Sequence, residues 1–164
     1  MARATSAELS EISNISMPLE QEDYGGTFRG TIDEFALCHP DDCLCLAYYR
    51  ESNPIGLVLL KVPPASPEWV QHAQVSMHGL KVAPKIQGTG LGKHIFEESL
   101  KLAASRFPDA KELVLAVDAT NVRAKAIYLA LDPLDSGPVF RGRMGMEHRM
   151  RFDITVYRNR AVTV

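Results

Sequence analysis

One stretch, VSMHGLKVAPKIQGTGLGKHIFEESLKLA from Val75 to Ala103, narrows the fold more than any other. VSMHGLKVAP is an apolar run closed by Pro84, which predicts a strand. Gly88, Gly90 and Gly92 then fall within five positions. A helical pattern follows from about Gly90 to Phe107, with Leu91, Ile95, Leu102 and Ala103 on one face and Lys93, Glu97 and Lys101 on another. A strand, a glycine-rich turn and a helix in this order make a device for holding an anion. The glycines remove the Cβ atoms that would keep main-chain N–H groups away from it. The helix entrance adds unpaired donors and the positive end of its dipole.

The rest of the chain places this device in a mixed sheet. EISNISMPLE reads as a first strand ending at Pro18, and Tyr24, Phe28, Ile32 and Phe35 then recur at helical spacing despite Gly25, Gly26 and Gly30. DCLCLAYYR and PIGLVLLKV, separated by ESN, predict a hairpin of two buried strands, and PPASPEW a loop. ELVLAVDAT is a second strand leading into a helix, NVRAKAIYLAL, which Pro133 ends. SGPVFRGRMGMEHRMRFDI predicts a final hairpin turning across RGRMG. Two strands that each lead into a helix should lie parallel, so the expected class is α/β (α+β), in one domain spanning 1–164.

Bulk properties exclude several functions. The 164 residues are 46% hydrophobic and 23% charged, as in ordinary globular proteins. A net charge of −2 speaks against a general affinity for nucleic acid or an anionic membrane. Charge is segregated, however: nine acidic residues precede Cys43, while six arginines lie from Arg141 onward. Cys43 and Cys45 alternate with leucines, as small hydrophobes of a strand do, and no second ligand cluster suggests a metal. Reduced thiols suit a cytoplasmic location, and MARATSAELSEIS lacks the apolar core of a signal peptide.

Spacing decides between the known glycine loops. Gly88 to Gly92 is one residue short of the nucleoside-triphosphate loop, and His94 stands where its metal-binding hydroxyl belongs. Gly88 and Gly90 begin a dinucleotide fingerprint, but Lys93 occupies its third glycine. The pattern that remains is Gln-x-x-Gly-x-Gly, from Gln87 to Gly92, preceded by LKVAPKI. It resembles the coenzyme A loop of the GNAT superfamily of N-acetyltransferases. NVRAKAIY resembles the second motif of that family through Asn121, Ala124 and Tyr128. The resemblance covers about residues 75–131.

It implies a central mixed sheet whose two parallel strands splay apart, flanked by helices on both faces. It also implies acetyl-CoA as cosubstrate, with the pyrophosphate on Gln87, Gly88, Thr89, Gly90, Leu91, Gly92 and Lys93. The pantetheine arm would pass Asn121 and run between the splayed strands, where an amide near Leu80 to Val82 would polarise the thioester. An amine acceptor would then attack directly, with Tyr128 as the acid near the coenzyme sulfur. Many members carry a glutamate as base where this chain has Ser76; His78, two residues on, is the candidate here. Asn121 also suits a helix cap.

The chain departs from the family pattern at Asp132-Pro133, where glycine and phenylalanine are usual. Acceptor contacts are expected from Glu20 to Phe35 and from Arg141, Arg143 and His148, whose charge would favour a carboxylate or phosphate on the acceptor. Whether the acceptor is a small molecule or a peptide stays open, as does oligomeric state, a homodimer included. A second reading is a module of the same fold that binds acyl-CoA without turnover. The missing strand glutamate favours that reading, and Tyr128 counts against it.

Overall fold

The computed structural model describes residues 6–134, 137–142 and 145–158. Three helices come first: α1 (Ser6–Ile12), α2 (Leu19–Gly25) and α3 (Phe28–Ala36). A hairpin follows, β1 (Cys43–Arg50) and β2 (Asn53–Lys61), then β3 (Gln74–Val82), α4 (Leu91–Arg106), β4 (Glu112–Asp118) and α5 (Val122–Leu129). A second hairpin, β5 (Pro138–Arg141) and β6 (Met146–Asp153), completes a six-stranded sheet in the order β1-β2-β3-β4-β6-β5. Among the described residues, only β3 and β4 pair in parallel; every other neighbouring pair is antiparallel.

Strand alternation builds a core on each face. Val58 and Leu60 of β2, with Val75 and Met77 of β3, meet Ile95, Phe96, Leu100 and Ala103 of α4. Leu57 and Leu59 of β2, with Cys43 and Cys45 of β1, meet Ile12 of α1 and Phe28 of α3. The expected mixed sheet with helices on both faces is what the chain forms. Leu102, expected on the inner face of α4, is only half-buried; Phe96, Ser99 and Leu100 are buried instead.

The N-terminal region corrects the sequence reading. EISNISMPLE forms no strand: its first residues end α1, and Pro18 stands at the N-cap of α2, its carbonyl accepting from the amides of Gln21 and Glu22. Leu9, Ile12 and Ile15 share the α3-side core, and their three-residue spacing is helical rather than alternating. The single helix suggested by Tyr24 to Phe35 is two, broken at Gly26 with φ 68°. Gly30 is tolerated because its amide is capped by Thr27 Oγ1 at 2.9 Å.

β3 creates the wedge. Its parallel ladder with β4 runs from Gln74↔Glu112 only to Ser76↔Val114. Beyond Ser76, Gly79 takes φ 57° and the register with β2 shifts between Leu57 and Leu59. A Cβ at Gly79 would collide with the Thr31 side chain of α3, so both torsion and space require glycine. The extra residue bends the strand away from β4 and leaves that edge of β3 without a strand partner.

Candidate active site

The glycine loop is built to expose its amides. A 3₁₀ turn at Pro84–Ile86 ends β3, and Thr89 Oγ1 donates to Ile86 O at 2.8 Å, drawing the loop tight. Gly88 and Gly90 have φ of 80° and 85°, and a Cβ on either would meet nothing within 4 Å, so these positions face open space. Gly90 is the N-cap of α4, and the first amide of the helix to find a backbone acceptor is His94, on Gly90 O at 3.1 Å. Among the described residues, the amides from Gly88 to Lys93 have no acceptor. So long a run of unpaired donors at a helix entrance suits an anion with several oxygens.

The loop borders a cavity of about 590 Å³, a size suited to a cofactor arm. Gly88, Gly90, Gly92 and Lys93 line it, together with Leu80, Val82, Gln87, Asn121 and Tyr128. Leu80, Asn121 and Tyr128 also line a smaller cavity of about 120 Å³ between the diverging strands, where His78 lies. Most expected site residues thus line one or both of these cavities. The side chains of Thr89 and Leu91 stay outside it, although their amides belong to the unpaired run.

Individual side chains hold distinct positions. Gln87 is a brace: Nε2 donates to Val82 O at 2.9 Å and to Gln21 Oε1 at 2.8 Å, while Oε1 accepts from Arg123 Nη1 at 2.9 Å. Asn121 caps α5 by accepting from the Ala124 amide at 3.1 Å, and it faces both cavities. Tyr128 is buried with its ring edge-on to Phe96 at 4.9 Å, and burial raises its hydroxyl pKa above the usual tyrosine range. It therefore keeps its proton across the working pH range.

His78 is more constrained than its position in the sequence suggests. Its Nε2 meets Ser76 Oγ at 2.8 Å, and Ser76 donates to Lys61 O at 3.2 Å. Desolvation first, then the charges of Lys61 and Lys81, hold its imidazole down at about 4 against the pull of Glu34. It is a neutral imidazole at pH 7. Lys61 is paired with Glu34 at 2.5 Å, and Lys81 donates to Thr31 Oγ1 at 2.6 Å.

Two further contributions shape the mouth, one from α2, within the Glu20 to Phe35 stretch expected to contact the acceptor, and one from Arg123, which escaped sequence reasoning. α2 lies across the cavity mouth, through Gln21 on Gln87 and through a hydrogen bond between Tyr24 Oη and Thr120 Oγ1 at 3.1 Å. Arg123 projects a guanidinium beside the loop. The signal that could have found Arg123 was its place as a cation two residues after Asn121 at the start of a helix. Of the expected acceptor contacts, Tyr24 lines both cavities, Arg141 is exposed at the end of β5, and Arg143 lies outside the described residues.

A splayed parallel pair with an anion-binding helix entrance at its open end defines a class of acyl-coenzyme A-dependent transferases. The sequence profile of the acetyltransferase (GNAT) family matches residues 8–132, and the chain belongs to that family, whose cosubstrate is acetyl-CoA. No curated protein matches it by sequence. Among solved structures, it is similar to an aminoglycoside acetyltransferase in complex with coenzyme A and kanamycin (15% identity, 98% of each chain, TM-score 0.76). The spermidine N-acetyltransferase of Vibrio cholerae with CoA and spermine is similar too (18% identity, 96% of each chain, TM-score 0.71). So is the ribosomal-protein-S18-alanine N-acetyltransferase of Escherichia coli (15% identity, 93% of this chain and 92% of that one, TM-score 0.65). No helix among the described residues is long and apolar enough to cross a membrane.

Proposed function

We propose that this protein transfers an acetyl group from acetyl-CoA to a primary amine by direct attack, with no acyl-enzyme. The observation that carries this reading is the run of amides from Gly88 to Lys93, unpaired among the described residues, on a cavity that shares Leu80, Asn121 and Tyr128 with the β3–β4 wedge. Each charge-assisted bond from such an amide contributes about 1.5–3 kcal/mol, so several together anchor a diphosphate. Structures of the same fold carry spermine or kanamycin beside CoA, which supports an amine acceptor.

The remaining roles follow from where each group sits. The unpartnered edge of β3 near Leu80 to Val82 offers an amide to the thioester oxygen. Tyr128, held protonated, donates to the departing sulfur. His78 accepts the proton of the attacking amine, and its low pKa keeps it free to do so at pH 7. Leu80, Val82 and Asn121 guide the pantetheine arm, while Gln87 fixes the loop rather than gripping the diphosphate with its side chain. Positioning supplies much of the rate, since effective molarities for well-oriented groups reach about 10⁵ M or more.

The test is a panel of primary amines with acetyl-CoA, following free thiol and acetylated product together. Equimolar CoA and N-acetylamine are expected. Tight acetyl-CoA binding with no thiol release from any amine would establish a non-catalytic acyl-CoA module instead.

A further inference from the structure

Charge at the two ends of the wedge is opposite to what the sequence suggests. The arginines of β6 are committed at the closed end, where β3 and β4 still pair. Arg149 donates to Gln74 Oε1 at 3.1 Å and lies 5.5 Å over the Trp69 ring, and Arg151 pairs with Glu112 at 3.2 Å. The open end carries carboxylates. Asp118, the last residue of β4, is the ladder partner of Glu147 on β6, and both line the small cavity with His78 and Tyr128.

Among the described residues, neither carboxylate has a cation. Asp118 Oδ1 accepts from the Thr120 amide at 2.8 Å and the Thr120 hydroxyl at 2.5 Å. Its Oδ2 has no partner among the described residues, in a side chain only 8% exposed. Glu147 leans into space that a Cβ at Gly142 would fill and makes no ion pair among the described residues. Burial, and then the neighbouring Asp118, raise its carboxyl above the ordinary range. A desolvated carboxylate oxygen without a donor is costly, and a second carboxylate beside it adds to that cost. A bound cation offsets both. Anionic groups are repelled from the same place.

The geometry points to Asp118 and Glu147 as a cation subsite of the acceptor, which makes the acceptor a diamine or polyamine. One nitrogen, unprotonated, reacts on the His78 side, while a second, still protonated, rests on the carboxylate pair. This rests on the transferase reading above and deepens it. It departs from the carboxylate- or phosphate-bearing acceptor that the arginine-rich hairpin suggests.

Three four-carbon amines test it, differing only in the charge at the far end: 1,4-diaminobutane, butylamine and 4-aminobutanoate. Calorimetry on the CoA-loaded protein reads binding without turnover. The diamine is expected to bind about 10- to 100-fold tighter than butylamine, with 4-aminobutanoate weakest. Glu147→Gln and Asp118→Asn, taken separately, should shrink that spread to about threefold or less and leave CoA affinity intact. Asp118 also holds the β4–α5 turn through Thr120, so Glu147→Gln decides if the other variant misfolds. A flat or inverted order in the unsubstituted protein, or an unchanged order in Glu147→Gln, overturns the subsite. Acetylated products with a flat order would leave the transferase standing without the subsite. The charge order without any acetylated product would do the reverse.

Discussion

His78 shows how burial fixes the working state of one side chain. Its imidazole sits at about 4 rather than 6.5, so the folded protein resists a proton that the unfolded chain accepts readily. Stability is therefore unaffected above about pH 6.5 and falls as pH drops toward 4, by about 3 kcal/mol in all. Urea midpoints measured across this window should show that loss, and His78→Asn should flatten it. Its kinetics have a matching signature: activity holds down to about pH 5 and fails near 4, and His78→Ala lowers kcat by about 10²–10⁴-fold while removing that limb. An unaltered pH–rate profile would take His78 out of the mechanism. Tyr128 works from the opposite shift, a phenol kept protonated. Tyr128→Phe should lower kcat by about 10²-fold or more and leave CoA affinity within about twofold. Equal losses in both would mark it as a packing residue for Phe96.

At the scale of elements, each strand-to-helix junction stands on one backbone conformation. Gly90 at φ 85° sets the turn of the loop that borders the cavity. Gly90→Ala is expected to cost about 1–2 kcal/mol of stability and at least about tenfold in CoA affinity, read by calorimetry. An affinity unchanged by that substitution would mean that the loop conformation does not matter for binding. At the end of α5, Asp132 stands at φ 51°, doing by strain what glycine does without it. Asp132→Gly should raise stability by about 1 kcal/mol, shifting Tm upward by a few degrees. These junctions, the β1–β2 hairpin and the final hairpin are legible in the sequence because their signals are local: apolar runs, glycines, prolines and a capping asparagine. The N-terminal helices are not. Leu9, Ile12 and Ile15 show their helical spacing only when the reading starts before Glu11, and Pro18 reads equally as the end of a strand and the start of a helix. The neutral state of His78 and the Asp118 oxygen left without a partner among the described residues are also hidden, since each depends on groups distant in sequence: the packing that buries His78 together with Lys61 in one case, the ladder with Glu147 in the other.

The whole molecule divides its labour along the sheet. Both cores lock the sheet between α1 and α3 on one face and α4 on the other, while the bulge at Gly79 opens β3 from β4 at one end only. The closed end uses the arginines of β6 for pairing; the open end gathers unpaired amides, a neutral histidine, a protonated tyrosine and two carboxylates. α2 lies over this end through Gln21 and Tyr24. The central claim is that main-chain donors, rather than side chains, fix the coenzyme. Titrating amide-labelled protein with CoA and following each N–H resonance tests it most directly. The largest shifts are expected at Gly88 through Lys93, and they should persist in Gln87→Ala if the variant keeps its fold. Saturating CoA that leaves those resonances in place while moving others would contradict the account.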